Sequence, residues 1–211
     1  MVAHYWQQEL AAALSEPALA AFDDEAPVPE AAAEAALRVA LCLGYCRLFH
    51  VELPEELDGV LPAREALAAA KVLKDRIRSL THDARDLPGR CYSAPDGLAQ
   101  EYCADLLQAR MDAWACFEAI AEAHEDCGGL GDEVAQLKDE LSRLDDNLRD
   151  PEVVAWLSTV AGSHLLANWR GMLAGKRLPW WLDGSLEEEA ARIEVESEAV
   201  FSEIQRLKTR R

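Results

Sequence analysis

The chain has 211 residues, half of them apolar, with a formal net charge of −18. That length and apolar content exclude general disorder and suffice for a self-supporting core. An acidic surface repels nucleic acid and anionic lipid, which makes a basic protein the favoured partner. The charge is unevenly placed. Acidic and basic residues number 11 and 2 over residues 1–63, 4 and 7 over 64–90, 15 and 4 over 91–150, and 9 and 8 over 151–211. Any anion-facing surface is therefore expected on the one net-positive stretch, 64–90. No apolar run reaches the ~18 residues that span a bilayer. The opening MVAHYWQQEL has neither a basic n-region nor an apolar h-region, so no signal peptide and a cytoplasmic location are expected. The six cysteines, at 42, 46, 91, 103, 116 and 127, are then expected to be reduced. They form no C-x-x-C pair, the strongest zinc and redox signal.

Helical spacing dominates and strand signals are nearly absent. A first helix is predicted over 3–14, with Tyr5, Trp6, Leu10 and Leu14 as its apolar set. Ser15 can cap a short continuation led by Pro17. Pro27 and Pro29 make 23–30 a loop. The second helix, 30–51, is apolar nearly all round and is expected to be central. Residues 52–62 connect it to a third helix, 63–86, which has an apolar stripe of Leu67, Ala70, Leu73, Ile77 and Leu80. DLPGRCYSAP is expected to break that helix. The fourth, 96–127, buries Leu98, Tyr102, Leu106, Ala109, Ala113, Phe117 and Ile120 and stops at CGGLG. The fifth, 132–149, carries Val134, Leu137, Leu141, Leu144 and Leu148 at the 3-4-3-4 spacing of a bundle seam. Asp150-Pro151 opens a sixth helix, 151–174, again apolar on most sides and expected to be central. KRLPWWLDG (176–184) reads as a linker. Ser185 with Glu188 forms a capping box for a last, amphipathic helix over 185–211.

Four places could carry chemistry or recognition. On the third helix Lys71, Lys74, Arg78, His82 and Arg85 recur at spacings of 3, 4, 4 and 3, which puts them on one face. They read as an anion-facing strip or as a solvated face paired with acidic neighbours. Cys42, Cys46 and His50 share a face of the second helix and could ligate zinc or copper. A fourth ligand would have to come from another helix, for example Cys103, Cys116, His124 or Cys127. The same thiols read equally as small core residues. His164 and Asn168 lie one turn apart on the sixth helix, either as a supported reactive histidine or as a satisfied core pair. Leu178, Trp180, Trp181 and Leu182 read as an interaction segment, since tryptophan is enriched at binding hot spots, or as a cap on the core.

Arg76 and His82, five residues apart, resemble the Arg-x(4–6)-His signature of HEPN-domain proteins, which are all-helical bundles. The resemblance implies a metal-independent ribonuclease, with Arg76 contacting the scissile phosphate and His82 as acid/base. On a regular helix, however, six positions turn the two side chains about 120° apart.

The sequence therefore predicts an all-α fold. The fold is a single bundle of six to seven helices with two nearly all-apolar central ones: residues 1–175 form the helical bundle, 176–184 the Trp-containing linker, and 185–211 a C-terminal amphipathic helix packed on the bundle or in a dimer. The expected function is a non-enzymatic, acidic, cytoplasmic protein-interaction module: an adaptor, or a chaperone-like or immunity-like partner of a basic protein. The expectation includes no cofactor, metal or membrane, no nucleic-acid partner, and a homodimer as an open option. The HEPN-like ribonuclease and a metal or cofactor binder through Cys42, Cys46 and His50 are the alternatives.

Overall fold

The computed structural model describes residues 2–22, 27–53, 61–93 and 98–150. The sixth and seventh predicted helices, the Trp linker, His164 and Asn168 lie outside the described residues. The fold is all-α, as the periodicity predicts. It comprises α1 (Val2–Leu14), a 3-10 helix (Pro17–Phe22), α2 (Glu30–Leu48), α3 (Ala63–Ser93), α4 (Leu98–Cys127) and α5 (Gly131–Leu148). No described helix is long and apolar enough to cross a membrane.

The chain divides into two compact units. The first is Met1–Thr81 with Ala109–Leu144, and the second is His82–Gln108 with Asp145–Arg211. The boundaries fall inside α3, α4 and α5.

In the first unit α2 is the buried element, as its apolar composition predicts. Ala32, Ala35, Ala36, Leu37, Val39, Ala40, Cys42, Leu43, Tyr45 and Cys46 are all buried. α1 and the 3-10 helix pack against it. Trp6 stacks on Tyr45 with ring centroids 4.2 Å apart and planes 10° from parallel. Tyr5, expected in the apolar set, is 53% exposed; its hydroxyl can stay wet while the ring edge rests on Trp6.

α2 and α4 approach at Gly44. A Cβ there would lie 1.9 Å from the backbone oxygen of Ala115, so the missing side chain is what permits the crossing. α2 ends in a Schellman motif. Val51 N–H donates to the Cys46 carbonyl at 2.8 Å and His50 N–H to the Arg47 carbonyl at 2.9 Å. His50 takes the left-handed position usually filled by glycine, with φ of 50°. Leu137, Leu141 and Leu144 of α5 are buried to within 1%, so these leucines of the 3-4-3-4 seam are core, while Val134 is half-buried. α5 is tied to α3 by Arg78 Nε donating to Glu140 Oε1 at 3.0 Å and Lys74 Nζ donating to Gln136 at 2.8 Å.

In the second unit α3 runs on to Ser93 with Pro88 inside it, whereas the sequence reading ends it near 86. Proline removes one intrahelical donor, but Ala84 and Leu87 before it are buried. Arg90 and Asp83 pair at 2.7 Å across the proline turn. Packing and that ion pair outweigh one lost bond. Tyr102 of α4, expected in the buried stripe, is 38% exposed. The stripe is borne out at Leu106 in this unit and at Ala113, Phe117 and Ile120 in the first.

Candidate binding cleft

Three helix faces of the first unit leave an open cleft of about 760 Å³, within the ~300–1,000 Å³ typical of ligand sites. α2 supplies Ala31, Glu34, Ala35, Leu37, Arg38 and Leu41, and α3 supplies Leu73, Arg76, Ser79 and Leu80. α4 supplies Ala109, Asp112, Ala113 and Cys116, and Glu16 completes the lining. The spacing on each helix is that of one face, so each wall is a stripe. Small side chains at 31, 35, 109 and 113 leave open the space that larger residues would fill.

The walls are pinned by polar contacts. Tyr45 O–H donates to Asp112 Oδ1 at 2.6 Å, joining α2 to α4. Cys116 Sγ lies 3.9 Å from the Leu37 carbonyl. Arg76 pairs with Glu34, joining α3 to α2. Arg38 pairs with Glu16 at 2.6 Å and with Glu9 at 3.3 Å. Glu9 and Glu16 together hold its guanidinium above the usual pKa. The lining thus carries three carboxylates against two guanidiniums, with Glu9 behind them as a fourth.

Arg76 therefore faces Glu34 on the cleft. His82 pairs along its own helix with Asp86 at 3.1 Å, and α3 does not end before it. Lys74 and Arg78 of the basic strip are taken up by α5, while Lys71 and Arg85 are exposed. Cys42 and Cys46 are buried free thiols, as is Cys116, whereas His50 is exposed at the helix stop. His124 Nδ1 accepts the Leu130 N–H at 3.2 Å, capping the turn into α5. The side chains of Cys103 and Cys127 lie outside the described residues. Among the described residues no group of three or more His, Cys, Asp or Glu side chains is disposed to hold a metal. Leu178, Trp180, Trp181 and Leu182 lie outside the described residues.

Burial pushes the Cys42 thiol up to about 12 from an ordinary 9.0, and moves Cys46 and Cys116 in the same direction. Protonated thiols are the stable core form. Between pH 9 and about 12 the unfolded chain releases the Cys42 proton first, so stability declines across that window. The melting temperature should fall more steeply there than in Cys42→Ala; identical slopes would show that this thiol ionises as freely in the fold as outside it.

The cleft was not anticipated from the sequence. The available signal was alanine at i, i+4 on two helices, with Glu34 and Arg38 one turn apart on a mostly apolar one. No family model, curated protein or solved structure matches the chain.

Proposed function

We propose that the protein is a non-enzymatic, cytoplasmic interaction module whose cleft receives the apolar face of a basic amphipathic helix from a partner protein. The observation that carries this reading is the open, largely apolar cleft itself, walled by three helical stripes and lined by three carboxylates against two guanidiniums. From Ala31 to Leu41 the α2 wall runs ten residues, about 15 Å at 1.5 Å per residue. That length matches anchors at i, i+3 or i+4, and i+7 of a docked helix. The excess of carboxylates around the cleft and the net charge of −18 favour a cationic occupant and steer its approach.

A fluorescent Leu/Lys amphipathic peptide of about fourteen residues, close to four turns, tests the reading. It is expected to bind the full-length protein in a salt-dependent manner, while a scrambled peptide of the same composition and a Leu/Glu counterpart do not. Ala109→Trp, which fills a half-buried position of the α4 wall, should abolish binding without lowering the melting temperature. Equal binding of the scrambled peptide, or binding unaffected by Ala109→Trp, would contradict the reading. Capture of dodecylamine but not the peptide would move the function to a small amphiphile.

A further inference from the structure

The two ion-pair groups of the cleft differ in charge. Arg76 and Glu34 pair one to one. Arg38 is shared by two carboxylates, Glu16 at 2.6 Å and Glu9 at 3.3 Å. Of these two, only Glu16 lines the cleft. The three side chains are 47%, 29% and 34% exposed for Arg38, Glu16 and Glu9, so they can exchange partners without stranding a buried charge.

We propose that Glu16 receives a cationic side chain of the bound helix, displacing Arg38, which Glu9 keeps paired. The inference rests on the cleft being the binding site and adds which residue reads the charge. If Glu16 moves from Arg38 to a ligand cation, Arg38 still has Glu9, and the surplus negative charge of the trio is neutralised. The same exchange at Glu34 would leave Arg76 without its partner in the cleft, facing an incoming cation. The pairing therefore favours a basic residue of the occupant at Glu16 over one at Glu34. Arg38 acts as an internal competitor that holds Glu16 in place while the cleft is open.

The test uses the same Leu/Lys peptide on the full-length protein, read by fluorescence anisotropy at low salt. Glu16→Gln should weaken binding about threefold to fivefold, the range of a partly exposed ion pair. Arg38→Gln should strengthen it by more than Arg143→Gln does. The latter makes the same charge change on α5, outside the cleft lining. The opposed signs separate charge exchange from a merely structural contact, because loss of a structural Arg38 would weaken binding. Glu16→Gln leaves the Glu9–Arg38 pair intact, so its effect does not depend on whether Arg38→Gln loosens α1. Weaker binding in Arg38→Gln with its melting temperature kept, or no change in Glu16→Gln, would overturn the exchange and leave the cleft reading standing. A peptide that fails to bind the unaltered protein would overturn both.

Discussion

Gly44→Ala should destabilise the protein by more than ~3 kcal/mol, the upper part of the range for overpacked cores. The new Cβ would stand 1.9 Å from the Ala115 oxygen, 2.4 Å from its carbonyl carbon and 2.9 Å from its Cα. All three are backbone atoms, so no side chain can rotate away, and α2 and α4 would have to separate. Separation would disturb the Tyr45–Asp112 bond and the α4 wall of the cleft. The sign is diagnostic, because alanine is favoured over glycine by about 1 kcal/mol inside an unconstrained helix. Gly89 provides the contrast. It lies within α3 with nothing within 4 Å of its virtual Cβ, so Gly89→Ala should stabilise by up to about 1 kcal/mol. Urea unfolding of both variants checks the pair, and a Gly44→Ala protein as stable as the parent would show that the helices do not cross at this point.

Leu141→Asp is expected to be as severe. Leu141 is fully buried at the centre of the α5 seam, with Leu137 and Leu144 beside it at 1% and 0% exposure. Losing the isobutyl group alone costs ~2–5 kcal/mol. An uncompensated carboxylate in the same space adds several kcal/mol more or is forced to protonate. A loss of about 4 kcal/mol or more corresponds to a fall in Tm of about 10 °C for a chain of this size. Circular dichroism melting decides the point, and a Tm equal to the parent's would mean that the seam is not core.

These two residues also mark what the sequence made legible. Leu141 belongs to a periodic stripe, and apolar periodicity records burial directly, so α5 and its buried face could be read off residue by residue. The all-round apolar character of α2 pointed to its central place for the same reason. Gly44 was harder to interpret. A lone glycine inside a helix costs stability unless something presses on it, yet the sequence does not name Ala115 as the neighbour. Pro88 misled in the other direction, since a local breaker was overruled by the burial of Ala84 and Leu87. The cleft was illegible because it is a space between walls. Ala31, Ala35, Ala109 and Ala113 look like ordinary helix formers until α2, α3 and α4 are set side by side. The basic strip of α3 divided for a similar reason: Lys74 and Arg78 meet α5 partners that no local pattern identifies.

The measurement closest to the central claim is amide chemical-shift mapping of the isotope-labelled full-length protein during titration with the Leu/Lys peptide. The cleft reading predicts the largest saturable shifts at Ala31, Ala35, Leu41, Leu80, Ala109 and Ala113, with Glu16 moving in step. Shifts spread evenly over the acidic surface, or concentrated on the outer face of α5 at Lys138, Asp139 and Ser142, would contradict it.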